Sequence, residues 1–231
     1  MAASNRPALM FVATDVDPQY EQAWNRWYDT RHVPQRQGLP GFQSARRFEV
    51  LQGTETSRKY LALYDLEGPE ALETEAYLSL SREPIQNAED REMLTHFRNR
   101  LRGIMSQISD TAAPGSPSRA NPGALLVVGL EPDAAHEEEF NAWYEQEHIP
   151  FLTSVPGVLG VRRFKRIRDD LPYLAIWELM NAEIRQSEAW RKAAGTPWTA
   201  RVVSHCKRWI TGTYRPLVPA TATTPSLSSA S

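Results

Sequence analysis

Hydrophobic and polar positions follow the same order twice along the 231-residue chain. An apolar stretch typical of a strand opens each copy, and an amphipathic segment that we expect to be helical follows it. Pro34 and Pro150 are predicted to stop these helices at about His32 and His148. Two strands, a second helix and a last strand then complete each copy. The predicted strands are 8–13, 59–66 and 99–108 in the first copy and 124–129, 172–179 and 207–214 in the second, with second helices at 70–82 and 182–194.

Matched residues show that the two copies share a register. The residues Trp27-Tyr28-Asp29 with His32 and Pro34 recur 116 positions later as Trp143-Tyr144-Glu145 with His148 and Pro150. A Pro-Gly turn and a double arginine follow in both copies. The sequence therefore predicts a tandem duplication, with a first half at 8–108, a linker at 109–123, a second half at 124–217 and a disordered tail at 218–231.

The element order strand, helix, strand, strand, helix, strand is that of a ferredoxin-like unit. Such an α+β unit covers one face of its sheet with helices and leaves the other face bare. We therefore expect two tandem ferredoxin-like (βαββαβ) halves packed sheet to sheet, as an intramolecular version of a dimer.

Composition and charge exclude several classes of protein. The formal charge of −2 does not favour nucleic acid as a partner. The longest apolar run, 124–130, is much shorter than the ~20 residues that cross a bilayer, and residues 1–7 lack a signal-peptide core. We expect a cytoplasmic protein without a membrane partner. With Cys206 as the single cysteine, and with no dinucleotide, Walker, nucleophile-elbow or zinc motif, we expect no cofactor and no metal.

The candidate chemistry lies on the first helix of each copy. Trp24, Tyr28 and His32 are spaced i, i+4 and i+8, so they share one face, and Phe140, Tyr144 and His148 repeat the line. A histidine is suited to acid–base work near neutral pH, and a tyrosine one turn away can stabilise an oxyanion. The alternative is that these histidines only cap the helix, where the helix dipole favours them. The sequence leaves both hypotheses open.

The double arginines have two interpretations. Neighbouring residues of a strand face opposite ways, so one arginine of each pair is expected under the helices or between the sheets. Arg47 or Arg163 could anchor an acidic ligand, or could pair with an acid such as Asp29 or Glu145, or with Asp65 or Glu178. The candidate catalytic residues are thus His32, Tyr28, His148 and Tyr144, and the candidate substrate-binding residues are Trp24, Trp27, Arg47, Tyr60, Tyr64, Phe140, Trp143, Arg163, Tyr173 and Trp177.

These motifs resemble those of the dimeric α+β barrel superfamily. Trp27-Tyr28 with His32-Val33-Pro34, and Trp143-Tyr144 with His148-Ile149-Pro150, look like its EthD-type branch. The resemblance implies that each tyrosine–histidine pair lines a pocket between the helices and the sheet of its own half. Members of the superfamily include cofactor-free monooxygenases, isomerases, cyclases, decarboxylases, a hydroxynitrile lyase and haem-binding enzymes. A fused chain would allow its two pockets to diverge.

Our first functional hypothesis is a cofactor-independent enzyme that acts on a small aromatic or polyketide-like molecule by acid–base chemistry, as a lyase, decarboxylase, isomerase or cyclase. A cofactor-free monooxygenase of the quinol-forming kind is the alternative within enzymes. A non-catalytic small-molecule-binding protein is the alternative outside them, and a haem-dependent variant has only an available imidazole in its favour. The expected partner is a small aromatic or hydrophobic molecule, and the intramolecular pseudo-dimer leaves room for a further homodimer.

Overall fold

Eight antiparallel strands close into one barrel in the computed structural model, which describes residues 6–83 and 85–217. Going round the barrel, the order is β1-β3-β2-β8-β5-β7-β6-β4. The first four strands in sequence are neighbours, and so are the last four. The strands are β1 (Ala8–Val16), β2 (Phe42–Gly53), β3 (Tyr60–Leu66), β4 (Phe97–Ala112), β5 (Ala124–Pro132), β6 (Val158–Asp169), β7 (Tyr173–Leu179) and β8 (Cys206–Pro216).

Short helices cover the outside of the barrel. They are α1 (Glu21–Trp27), α2 (Val33–Gln37), α3 (Glu75–Leu78), α4 (Ala88–Thr95), α5 (Glu137–Trp143), α6 (Ile149–Thr153), α7 (Glu188–Ala194) and α8 (Pro197–Ser204). Apolar clusters fill the space between these helices and the outer face of the sheet, one in each half of the chain. In the described part of the chain, no helix is long and apolar enough to span a bilayer.

The barrel is closed by hydrogen bonds between the two halves. Strand β2 pairs with β8, with Val50 opposite Tyr214, and β4 pairs with β6, with Ala112 opposite Gly160. The sequence predicts two halves packed sheet to sheet as an intramolecular dimeric α+β barrel, and the structure shows that their edge strands also pair. Unpaired edge strands expose backbone donors and acceptors, and the edge pairing satisfies them. The interior is a third apolar cluster, to which both halves contribute, among others, Phe11, Leu61, Leu63, Val127, Leu174 and Ile176.

An ion cluster also joins the halves at one end of the barrel. The Asp65 carboxylate accepts hydrogen bonds from Arg46 at 2.9 Å and from Arg162 of the other half at 2.6 Å. Burial alone would raise the pKa of Asp65, but the charges of Arg162 and Arg46 outweigh it and lower that pKa. These two members of the double arginines therefore have a structural role.

Several predicted boundaries differ from the structure. The first helix of each half does not stop before its proline but continues to Gln37 or Thr153. The second helix is broken, because Thr74 and Ser187 each accept a hydrogen bond from the backbone N–H three residues later and so begin a new helix. Strand β4 runs to Ala112, because its end pairs with β6, and this shortens the predicted linker. The predicted disordered tail, 218–231, lies outside the described residues.

Candidate functional site

A turn of π-helix interrupts the first helix of each half at the same place. It spans Tyr28–His32 in the first half and Tyr144–His148 in the second. The N–H of Val33 reaches back five residues to the carbonyl of Tyr28. Proline lacks an N–H and clashes with the carbonyl four residues before it, so the wider turn explains how the helix continues past the proline. Such turns are frequent at functional sites.

The structure brings the predicted aromatic line together in the first half. The ring centroids of Trp24 and Tyr28 are 4.8 Å apart, and those of Tyr28 and His32 are 4.5 Å apart. Trp27 also contacts His32, with ring centroids 4.5 Å apart, and its indole N–H donates to Asp90 at 2.9 Å. The imidazole is therefore packed against both an indole and a phenol.

Two phenols meet below this histidine. The hydroxyls of Tyr28 and Tyr64 are 3.1 Å apart, so one donates to the other. Burial raises the pKa of both phenols, and both hydroxyls therefore stay protonated near neutral pH. The hydroxyl that accepts from the other keeps its own proton, which it can donate to a negatively charged oxygen.

The His32 side chain is buried and uncharged. Burial, with the nearby charges of Arg36 and Arg47, holds the pKa of His32 well below its usual value. Among the described residues, no group hydrogen-bonds to its ring nitrogens, and the ring lines two neighbouring cavities. A neutral imidazole that opens into a cavity is available to accept a proton from a bound molecule.

The two cavities have volumes of about 260 and 130 Å³ and share His32, Arg36, Tyr77 and Leu94 in their walls. Arg36 comes from α2, and Arg100 and Arg102 come from β4. Arg102 is paired with Asp169, whereas within residues 6–83 and 85–217 no carboxylate lies within ion-pair distance of Arg36 or Arg100. The wall is therefore positively charged and favours an anionic ligand.

Apolar residues, two of them tryptophans, occupy the matched positions of the second half. Leu152 stands where the first half has Arg36, Trp177 where it has Tyr64, and Trp190 where it has Tyr77. The Trp177 ring contacts His148 at 5.6 Å and Trp190 at 5.9 Å, and Leu152 is fully buried. The hollow beside Tyr144 has no room for a water molecule.

Tyr144 is therefore part of the apolar core of the second half, and the half-buried His148 packs against it. The His148 and Tyr144 rings are in edge contact at 5.4 Å, and His148 packs on Trp143 at 4.2 Å. Burial lowers the pKa of His148 to about 3, and burial raises the pKa of Tyr144 to about 12. The Nδ1 atom of His148 is buried without a hydrogen-bond partner in the described structure.

Arg47 and Arg163, the inner arginines of the two pairs, each bind an acid and an asparagine from the first helix of their own half. Arg47 binds Asp29 and donates to the Asn25 side chain at 2.6 Å. Its counterpart Arg163 binds Glu145 at 2.6 Å and donates to Asn141 at 2.8 Å. The guanidinium carbons lie 4.3 and 3.9 Å from the ring centroids of Tyr28 and Tyr144. This favours the ion-pair interpretation over the ligand anchor.

Eight of the ten predicted substrate-binding residues do not line the charged cavities. Trp24 and Phe140 are almost completely buried behind the tyrosines. The Tyr60 hydroxyl donates to Glu21 at 2.7 Å, and the Tyr173 hydroxyl donates to Glu137, so both are engaged at the helix start. Of the predicted substrate-binding residues, Trp27 and Tyr64 line the charged cavities.

Sequence reasoning missed the cavity's cations and Tyr77. A signal was present, because the copies differ there: Arg36 is matched by Leu152, Arg100 by Trp209 and Arg102 by Thr211. Residues that differ between otherwise matched copies mark the half that carries a different chemistry.

A larger groove of about 540 Å³ lies elsewhere, between α2, the end of β2 and the segment before β5. Its walls are mainly apolar and include Pro34, Phe48, Pro122 and Leu217. The charged residues that line it are already paired, Arg47 with Asp29 and Arg46 with Asp65. We therefore place the candidate site in the charged cavities around His32.

Comparisons with known proteins address the fold. Residues 8–107, which form the first half, match the model of a domain of unknown function (DUF4286). No curated protein sequence matches the chain.

Solved structures match nearly the whole chain at low identity. An anthrone oxidase-like protein has a TM-score of 0.59 and 12% identity, with 93% of this chain and 92% of that chain covered. The chlorite dismutase of Candidatus Nitrospira defluvii has a TM-score of 0.57 and 13% identity, with 94% and 93% covered. A protein described as a monooxygenase from Fusobacterium nucleatum subsp. nucleatum has a TM-score of 0.56 and 11% identity, with 94% and 96% covered. The chain thus has the fold of the dimeric α+β barrel proteins.

Proposed function

We propose that the chain is an enzyme with one active site, in its first half, that removes a proton from a small planar molecule carrying a phenol, enol or carboxyl group. The observation that carries this proposal is the asymmetry between matched positions. The first half has a cavity lined by Arg36, Tyr64 and Tyr77, and the second half fills that place with Leu152 and two tryptophans.

The chemistry follows from the charge of each group. Neutral His32 would accept the proton, and the electrons of the broken O–H or C–H bond would remain on the ligand as a phenolate or enolate. Arg36 would stabilise that negative charge, and one hydroxyl of the Tyr28–Tyr64 pair, the one that accepts from the other, would donate a hydrogen bond to its oxygen. Because an anion in the cavity favours the charged imidazolium, the pKa of His32 would rise as the charge develops.

The size of the cavities limits the ligand. Volumes of about 260 and 130 Å³ lie at or below the lower end of the ~300–1,000 Å³ of common small-molecule sites. A molecule of one to three fused rings suits this space better than a macrocycle such as haem. The aromatic walls formed by Trp27 and Tyr77 suit a flat ligand.

Oxygenation is the second candidate. Solved structures of the same fold include proteins named as a monooxygenase and as anthrone oxidase-like. Removal of a proton from an anthrone would give an enolate that can react with dioxygen, so both candidates share the first step. They differ in whether oxygen is consumed afterwards.

We also propose that the chain is a tandem fusion of two ferredoxin-like units of the EthD type. The repeated order of strands within each half, 4-1-3-2 and 8-5-7-6, supports it, as does the π-helical turn at the same place in both. The fusion would have freed one pocket from selection for chemistry. The second half would then serve as the partner sheet that completes the barrel.

The test is proton exchange at carbon 10 of anthrone in deuterated buffer, followed by nuclear magnetic resonance with and without oxygen. Binding of salicylate is measured separately. We expect His32→Gln to lower the exchange rate on the order of a hundredfold, as for a lost general base. Oxygen uptake by the wild type would favour the oxygenase.

The matched variant His148→Gln in the second half is the control, and Arg36→Leu tests the charged wall of the cavity. His148→Gln should leave exchange unchanged, whereas Arg36→Leu, which introduces the residue that the second half has, should weaken salicylate binding. Equal losses in His32→Gln and His148→Gln would contradict a single active site. Salicylate binding without exchange in any condition would favour the binding protein.

A further inference from the structure

Three side chains with metal-binding atoms meet on the surface of the second half, away from the cavity around His32. Asp133 follows β5, His136 precedes α5, and His205 lies between α8 and β8. The Asp133 carboxylate lies 4.0 Å from Nδ1 of His136 and 3.8 Å from Nδ1 of His205. One ligand atom from each of the three residues lies within 4.8 Å of the others.

Backbone hydrogen bonds fix these residues relative to one another. The Asp133 N–H donates to the carbonyl of His205 at 2.9 Å, and the His136 N–H donates to the carbonyl of Asp133 at 2.8 Å. The two imidazole rings are stacked, with centroids 3.7 Å apart and planes 8° apart. The arrangement is therefore built by the fold, and only side-chain rotations are free.

The polar atoms of this trio lack partners. Nδ1 of His136 is buried and makes no hydrogen bond within the described structure. The distances to the carboxylate exceed the length of a hydrogen bond. Among the described residues, Asp133 has no lysine or arginine within ion-pair distance. A carboxylate and two imidazoles without a cation between them are a combination that a metal ion would satisfy.

The first half shows what the same place looks like without the second imidazole. There Asp17, Tyr20 and His96 occupy the matched positions, and the Tyr20 and His96 rings stack at 3.6 Å. Asp17 is neutralised by Arg98 at 3.2 Å, whereas the second half has Lys207 at the position of Arg98. The stack of two rings is thus common to both halves. In the second half, His136 adds a metal-binding side chain, and the ion pair that corresponds to Asp17–Arg98 is missing among the described residues.

We propose that Asp133, His136 and His205 form a binding site for a divalent transition metal, with Zn²⁺ as the first candidate. Imidazole suits zinc, copper and nickel, and a carboxylate completes a common three-ligand set. The sequence alone predicts no metal site, and the proposal departs from that expectation.

The geometry needs small side-chain movements. Bonds of 2.0–2.1 Å in a tetrahedral site place ligand atoms about 3.3 Å apart, so the three atoms must approach by roughly 1 Å. The ring planes must also tilt, because the nitrogen lone pairs of two parallel rings do not meet. Asp133 has 68% of its side chain exposed and each histidine more than a third, so these rotations are free, and water can fill the remaining position. The Cys206 thiol donates to Val202 instead and stays outside the set.

The experiment is a titration of the untagged full-length chain with Zn²⁺ in competition with a chromophoric chelator, repeated with Co²⁺ to record its visible absorption bands. We expect one equivalent of metal to bind. His136→Tyr introduces the residue of the first half, whose ring is known to stack on a histidine there, and should weaken binding at least about tenfold. His96→Gln in the first half is the control and should bind metal as the wild type does.

Asp133→Asn is the second variant, to be used if His136→Tyr does not fold. The Asp133 side chain faces solvent, so this change should leave the fold intact. It should weaken Zn²⁺ binding to a similar extent. The proposal is wrong if the wild type binds no Zn²⁺ at millimolar concentration. It is also wrong if a folded His136→Tyr or Asp133→Asn variant binds Zn²⁺ as tightly as the wild type.

Discussion

The inner arginines provide a matched pair for testing what a buried charge contributes to stability. Arg47 and Arg163 are both almost fully buried, with 5% and 3% of the side chain exposed. Their acidic partners differ. Asp29 is 15% exposed, whereas Glu145 is 51% exposed. Replacing either arginine by methionine keeps much of the packing against the tyrosine ring and removes the positive charge.

The cost should follow the exposure of the acid that remains. In Arg47→Met the Asp29 carboxylate stays largely buried without its partner, and breaking a buried pair costs about 3–5 kcal/mol. In Arg163→Met the half-exposed Glu145 can turn into water, so the loss is mainly the hydrogen bond to Asn141, about 1–2 kcal/mol. For a chain of this size these costs lower the melting temperature by roughly 6–20 °C and 2–8 °C.

Urea unfolding followed by tryptophan fluorescence, with calorimetry for the melting temperature, measures both variants. The double variant Arg47→Met with Asp29→Asn is the control, because removing the stranded carboxylate should recover part of the loss. If Arg163→Met destabilises the protein as much as Arg47→Met, the exposure of the acid does not set the cost and our reasoning fails.

Two further predictions concern the first half. Asp90 is buried, but hydrogen bonds from Arg31, Trp27 and the Asn87 backbone outweigh desolvation and lower its pKa to about 2, so its ionised form stabilises the fold by about 2 kcal/mol above pH 4. Since the folded pKa is the lower one, this contribution should fade as the pH falls from about 4 to about 2. Urea unfolding should therefore show that Asp90→Asn is less stable than the wild type at pH 7, and that the two proteins have similar stability at pH 2. Tyr64→Trp introduces the residue of the second half and should narrow the cavity of about 130 Å³ and remove the hydrogen bond to Tyr28. It should therefore weaken salicylate binding in equilibrium dialysis while the protein stays folded, and unchanged binding would exclude this cavity as the site.

The repeat carried most of what the sequence could predict about the fold. Elements matched in two copies predicted the mixed α/β barrel, and the Pro-Gly turns are present, with Gly41 and Gly157 at φ values of +80° and +90° that favour glycine. The π-helical turn was not predictable from apolar periodicity, because that periodicity does not show whether an N–H bonds to the carbonyl four or five residues before it. The pairing of β4 with β6 depends on contacts between distant residues, so the end of β4 was placed too early.

The candidate site was predicted only where it depends on one helix. Spacing along the helix brought Tyr28 and His32 together, and the structure has them in contact. Arg36 was missed because the helix was expected to end at Pro34. Arg100 and Arg102 were missed because only the strand register decides which side chains of β4 face the cavity.

Closure of the barrel across the halves has a consequence during synthesis. The outer edge of β2 pairs with β8, whose 11 residues are the last of the described chain to leave the ribosome. Until then the nascent first half has open edge strands and an uncovered apolar sheet face, features that promote aggregation. Two separate chains would have to find each other by diffusion in that state. Because the partner sheet is attached through a short connection, it arrives at a high effective concentration, and the exposed interval becomes independent of how much protein the cell makes.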